Sequence, residues 1–357
     1  VVPHLGVRGR ELATIGKRGF HGGVAVTFKQ SHGKAAFGQG IRSSHARDAA
    51  ADDRNCFHMN LSMQVVCLVQ LILEMAHIEV HTIWPMEHKD FSPWRVKPKS
   101  NFKLHDIDTL PTPKDLPTDE TWDSALNKLG DKLNKLQGTL HAGKSKGLLL
   151  VFQGMDTAGK DGVIRSVFTH LSPLGVRAEA FGAPSDLEKS HDFLWRIHQK
   201  TPALGEMVIF NRSHYEDVLV TRVRGWVKKD TCEERYEHIK HFEAMLHDAG
   251  ITIVKCYLHI SKAEQKKRLQ SRLDDPLKHW KLQPSDFEDR QLWPKFAEAY
   301  EDALSATSTA DAPWYVVPAD AKPYRDLFVA GLLVQTLENM KLEMPKPLFD
   351  LSKVKLD

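Results

Sequence analysis

The sequence predicts an α/β fold, with a mostly parallel five-stranded sheet flanked by helices. Three observations predict it. Five short apolar runs recur at residues 147–152, 176–181, 207–210, 251–260 and 314–317, and their near-continuous apolar character suits strands covered on both faces. Helical patterns fill the stretches between them, several opened by Ser or Thr with Glu three residues later. A glycine-bearing loop, GMDTAGK at residues 154–160, follows the first run and heads the next helical stretch.

Taken in order, residues 120–142 place Trp122, Leu126, Leu129, Leu133 and Leu136 at three- and four-residue steps, the pattern of an amphipathic helix leading into the first strand. GLLLVF (147–152) is that strand, and the glycine loop and a helix follow it. VRAEAF (176–181) is the second strand, and the Ser185/Glu188 pair opens the helix after it, extended to carry SHDFLWRIH (190–198). MVIF (207–210) is the third. Thr231 and Glu234 predict the start of a long helix that Gly250 ends. ITIVKCYLHI (251–260) is the fourth strand, Ser261/Glu264 and Ser285/Glu288 open two more helices, and WYVV (314–317) is the fifth strand.

Residues 1–85 read differently. Rich in Gly, Ala, His and Arg, they show no sustained period of 2 or 3.6 up to about Met59, which predicts disorder. Residues 63–76, MQVVCLVQLILEMA, are apolar but shorter than the about 20 residues a membrane span needs. A native start at Met86 is the expectation, with 1–85 an extension. The net charge of +3 is too small for a polycation that coats nucleic acid, so any anion site must be local. Cys56, Cys67, Cys232 and Cys256 show no CxxC spacing, so a reducing, cytoplasmic setting without disulfides or zinc is expected.

The chemistry begins at the loop. The strand–loop–helix context makes G-x-x-x-x-G-K a phosphate cradle: Gly154, Ala158, Gly159, Asp161 and Gly162 offer backbone N–H groups, the helix N-terminus adds partial positive charge, and Lys160 adds a compact cation. Asp161 stands where a magnesium-binding hydroxyl is usual, and a plain helix-start acid is an equal reading of it. Asp156 inside the cradle would repel phosphate unless a divalent cation stood between them, so it reads as a magnesium ligand or as a polariser of the acceptor phosphate. Carboxyl ends of parallel strands face the ligand crevice. That places Asn211, Arg212, Glu216 and Asp217 toward the phosphates, with Arg212 suited to bidentate contact and Glu216 or Asp217 to metal. Arg268 and Arg272, four apart, share a helix face near Lys266, Lys267 and PLKHWK, which contains Lys281. They read as a solvated face or as a track for a long anion, with Lys144, Lys146, Arg165 and Arg177 as further candidates. Asp192 and Arg196 read as a simple pair, and Phe193 and Trp195 as core aromatics or as base-stacking platforms.

Five stretches together, GMDTAGKDG, SHDFLWRIHQ, FNRSHYEDVLVTRV, HISKAEQKKRLQSRLDDPLKHWK and APWYVVPAD, resemble the polyphosphate kinase 2 family. The branch they resemble most uses polyphosphate to phosphorylate both AMP and ADP. The likeness spans about residues 90–347. It implies a P-loop kinase fold with a helical lid, magnesium dependence, and a dimer or tetramer. Asp156 and Lys160 match the family's Walker A acid and lysine, and Arg212 its arginine after the third strand. It implies an acceptor-side nucleotide role for Asp192, Trp195, Arg196, Asn211 and Glu216, with metal at Asp156 and Asp217. Asn211 departs from the aspartate that other branches carry there, which shifts metal duty to Asp156, with Glu216 or Asp217 as further candidates. The expected organisation is 1–85 disordered, 86–146 an arm and helix, 147–347 a kinase domain with a lid at about 262–293, and 348–357 a tail. The expected partners are polyphosphate and AMP, ADP or ATP, with guanine nucleotides left open, and neither nucleic acid nor membrane. Two alternatives stand beside this: an ATP-dependent kinase of a nucleotide or small metabolite, and a non-catalytic binder of the same anions.

Overall fold

A computed structural model of the chain describes residues 86, 89–112 and 121–356. They fall within one unit, Val80–Asp357. The expectations of disorder in 1–85 and of a short apolar stretch at 63–76 lie outside the described residues.

Helix α1 (Trp122–Gly143) is capped by the Thr121 side chain, which accepts from the Ser124 N–H, and buries Leu129, Leu133 and Leu140. Strand β1 (Gly147–Gln153) follows, buried along its whole length. Helix α2 (Lys160–Phe168), β2 (Val176–Ala180), β3 (Met207–Asn211), α3 (Lys229–Asp248) and β4 (Ile251–His259) come next. The chain closes through α4 (Lys262–Leu273), α5 (Pro284–Gln291), α6 (Trp293–Thr307), β5 (Trp314–Pro318) and α7 (Lys322–Asn339). The sheet order is β2-β3-β1-β4-β5, and every pairing in it is parallel. The five expected strands are therefore the five observed.

β1 sits at the centre of the sheet, with β3 on one side and β4 on the other. The connections leave it toward opposite edges, so the crevice beyond the carboxyl ends opens above β1. Leu148, Leu149, Leu150, Val151 and Phe152 pack beneath that point with no exposure, giving the loop after β1 a rigid floor. α7 packs on α1 and α2, while α3 packs on β4 and α6. β2 corrects the expectation of strands covered on both faces: it is an edge strand, and Ala178 and Ala180 are exposed.

Helix starts are partly as read. Ser185 and Glu188 form a full capping box on the single turn Asp186–Lys189. Ser261 caps α4 through the Glu264 N–H, but the Glu264 side chain turns to Arg268 instead. The other two starts are corrections. α3 begins at Lys229, before Thr231, and α5 begins at Pro284, where Gln283 and Asp286 make the reciprocal box; proline suits the first turn because its missing N–H would be unpaired there anyway. SHDFLWRIH is not one helix: the turn Asp186–Lys189 ends at Ser190 and a second single turn spans Trp195–His198. Among the described residues no helix is long and apolar enough to cross a membrane. Cys232 and Cys256 are free and buried, and Cys56 and Cys67 lie outside the described residues.

Candidate active site

The loop between β1 and α2 is built on positive backbone angles: φ is +154° at Gly154, +63° at Thr157 and +103° at Gly159. At Gly159 the left-handed φ demands glycine, and a Cβ there would also displace the Nη1 end of the Arg325 side chain. Lys160 folds back across the loop, donating to the carbonyls of Gly154 (2.7 Å) and Met155 (3.3 Å). Burial, reinforced by the nearby Arg212 charge, brings its ammonium down to about 8, against the pull of Asp156, Glu216 and Asp161. The cation is thus poised at a cost that a bound anion would relieve.

Asp156 faces Arg212, whose Nη2 lies 3.1 Å from Asp156 Oδ1, and Arg212 Nη1 lies 3.7 Å from Glu216. Arg212 itself holds a left-handed backbone, φ +63°, rare for a residue with a side chain. Asn211 donates to Asp161 Oδ1 at 2.7 Å, across the mouth of the loop. Burial raises the Glu216 carboxyl, opposed by Arg212 and Lys160.

Asp156, Lys160, Asp161, Asn211 and Arg212 line a cleft of about 720 Å³. One side carries Lys267, Arg272, Lys278, Trp280 and Lys281, and the rear wall carries Arg165, Lys322 and Arg325. Cations outnumber acids there, so the cleft suits a ligand with many negative charges. Magnesium fits the donor set. Asp156 and Asp161 offer hard carboxylate oxygens, and the buried Thr157 hydroxyl has no hydrogen-bond partner. Magnesium commonly takes one or two carboxylates and completes its shell from phosphates and water.

The family model described as polyphosphate kinase 2 matches residues 117–345. The chain belongs to the polyphosphate kinase 2 family. It is 48% identical over 254 residues to a Meiothermus ruber protein named AMP/ADP-polyphosphate phosphotransferase, covering 71% of this chain and 95% of that one. It is 42% identical to an ADP-polyphosphate phosphotransferase of Rhodopseudomonas palustris, over 60% of this chain and 79% of the relative. The crystal structure of polyphosphate kinase 2 from Arthrobacter aurescens TC1 superposes with a TM-score of 0.71 at 45% identity, covering 74% of this chain and 94% of that one. The fold is therefore the P-loop kinase fold expected of a polyphosphate kinase 2.

The structure places several of the sequence-expected site residues differently from their expected roles. Arg268 lines the cleft, but its guanidinium is already engaged by the protein. Nearly buried, it spends all five N–H groups on the protein: Nε on Glu264, Nη1 on the Thr157 and Ala158 carbonyls, and Nη2 on those of Ala319 and Asp320. It braces the cradle from behind, as does Gln265, whose Nε2 donates to the Asp156 carbonyl at 3.1 Å. Asp217 does not reach the loop. Its carboxyl sits 3.8 Å from Arg196 and 3.9 Å from Arg235, and it lines a separate cavity of about 800 Å³ together with Asp192 and Arg196. Trp195 lies outside the lining of that cavity and stacks one face on His191 at 4.1 Å, while Phe193 meets Arg235 at 5.0 Å.

Asp192 accepts from the Leu194 N–H and does not pair with Arg196, which instead donates to the Gly182 carbonyl and lies against Phe181. Of the further cation candidates, only Arg165 lines the cleft. Arg177 pairs with Glu179 on β2, Lys146 donates to the Met340 carbonyl, and Lys144 is the left-handed cap of α1. Sequence reasoning missed Lys322 and Arg325 at the start of α7. Their signal was their place just beyond the carboxyl end of β5, the same logic that found Arg212 beyond β3.

Proposed function

We propose that this chain is a polyphosphate-dependent nucleotide kinase that moves the terminal phosphoryl of inorganic polyphosphate to AMP or ADP, and runs in reverse when ATP is abundant. One observation carries the reading: the carboxylate-bearing loop opens into a cleft lined from lid to rear wall by lysines and arginines. Such a channel suits a donor made of linked phosphates, each bearing about one charge. The names of the relatives, which pair polyphosphate with AMP and ADP, support it.

Phosphoryl transfer asks little covalent chemistry of the protein, so positioning and charge carry the catalysis. The loop N–H groups and the α2 N-terminus take up charge on the moving group. Lys160, released from the carbonyls of Gly154 and Met155, meets the same oxygens as a point charge. Arg212 presents a planar fork to the equatorial oxygens, held in aim by Asp156. Bound magnesium would neutralise charge between the donor and acceptor phosphates, and Asp156 would hold it. Closure of residues 262–293 would bring Arg272 and Lys281 over the donor chain and exclude water. The acceptor would enter on the β2 side, past Phe181 and Asn211. We further propose a homo-oligomer in the cytoplasm; the exposed Leu348 and Phe349 of the C-terminal tail support the first part.

Donor exchange tests the reading. With AMP and magnesium, polyphosphate should support formation of ADP and then ATP. Turnover of other acceptors with ATP alone, and none with polyphosphate, would favour the metabolite-kinase alternative and overturn the proposal.

A further inference from the structure

Beneath the catalytic turn lies a buried ionic assembly that the proposed chemistry does not use. Lys255, on β4, has no exposure. Its ammonium donates to Glu243 Oε2 at 2.6 Å, to the Thr307 carbonyl at 2.9 Å and to Tyr215 Oη at 3.0 Å, so each of its three N–H groups has a partner. Tyr215 Oη also lies 2.9 Å from Glu243 Oε1 and 3.1 Å from Thr307 Oγ1, which in turn accepts from Trp314 Nε1. His214 Nε2 approaches Glu243 at 3.5 Å, too long for a strong bond. One tyrosine therefore ties the turn after β3 to α3, β4, α6 and β5.

Stability does not explain such an assembly, because a buried ion pair is commonly no better than apolar residues of the same volume. Its location suggests another purpose. Tyr215 stands three residues from Arg212, whose left-handed backbone is strained and persists only where its surroundings over-determine it. The intervening chain is fastened too: Ser213 Oγ accepts from Gln153 Nε2 and from the Tyr215 N–H, and Ser213, His214 and Tyr215 are all fully buried.

We propose that Tyr215, Lys255 and Glu243 are positioning residues that hold Arg212 in its left-handed geometry, keeping its guanidinium on Asp156 and on the transferring phosphoryl group. The proposal rests on the role given to Arg212 above. None of the three touches the cleft, so their effect must pass through the turn.

A double-mutant cycle on the full chain tests it, using Tyr215→Phe, Arg212→Ala and the combination, all assayed well below their unfolding midpoints. Tyr215→Phe should lower kcat by about tenfold to a hundredfold with KM for polyphosphate changed less than about twofold, since about 1 Å of misplacement can cost that much. In the Arg212→Ala background the same change should cost almost nothing. Lys255→Met with Glu243→Leu, which removes both charges together, should reproduce the kcat loss even if its Tm rises. Unchanged kcat in Tyr215→Phe, or losses that simply multiply in the double variant, would overturn the proposal and assign the assembly a packing role. Wild-type activity in Arg212→Ala would overturn the role of Arg212 itself, and the proposal with it.

Discussion

Lys160 gives the sharpest energetic prediction. Its ammonium is held at about 8 against an ordinary value of 10.5, with burial as the leading cause. At about 1.4 kcal/mol per pH unit, the gap corresponds to about 3 kcal/mol of folding free energy forgone to keep a charged lysine in the cradle. Because the folded value lies below the unfolded one, this cost is complete below about pH 8 and is relieved as pH rises toward 10.5, where folded and unfolded chains are both neutral at this site. Lys160→Met removes the group. Its own offset, from the freed carbonyls of Gly154 and Met155, does not vary with pH over this range. The stability of the wild type relative to Lys160→Met should therefore climb by about 2–3 kcal/mol between about pH 7 and about pH 10. Denaturant unfolding of both proteins across that window measures it, and the difference cancels other titrations. Tripolyphosphate should flatten the climb by stabilising the charged form. A difference flat in pH, without ligand, would refute the claim that this lysine is desolvated in the cradle.

Three further predictions concern the cleft. Asp156→Asn keeps the shape but not the charge, and should lower kcat about a hundredfold or more with Tm little changed, read in a magnesium-dependent transfer assay with a thermal melt alongside. Gly159→Ala forces a side chain onto a φ of +103° and displaces the Arg325 guanidinium, so a backbone cost of about 1–3 kcal/mol in unfolding and weakened phosphate binding are expected. Because the donor is a polyanion, log kcat/KM for polyphosphate should fall linearly with log salt; Lys281→Ala should reduce that slope by about 0.7 while leaving the salt dependence for ADP alone.

How much of this was legible in the residues depends on which physics fixed each feature. The strands were legible because a central parallel strand must be apolar throughout, as Leu148 to Phe152 are. The cradle was legible because only glycine tolerates φ +103° with a guanidinium against its Cα, and that requirement shows as the spacing of Gly154, Gly159 and Lys160. For Arg268 a four-residue step says which residues share a helix face, not what each guanidinium binds; Arg268 and Arg272 both border the cleft, but Arg268 is buried with its N–H groups committed to protein oxygens. Asp217 was misplaced for a related reason. The turn His214–Asp217 rotates successive side chains to different sides, sending Glu216 toward Arg212 and Asp217 toward Arg196. Thr231 and Ser285 failed as helix starts because charged and proline residues upstream could already sustain the helix. The Lys255 assembly was invisible, since a lysine inside the fourth apolar run carries no sequence mark of its partners Glu243 and Tyr215.

Phosphorus NMR of one reaction mixture tests the central claim most directly: the purified chain with ADP, polyphosphate and magnesium, followed over time beside Asp156→Asn. The account predicts one ATP γ-phosphate resonance gained for each phosphoryl unit lost from the chain in the wild type, and both changes about a hundredfold or more slower in the variant. Orthophosphate accumulating in place of ATP, or equal transfer by the variant, would contradict it.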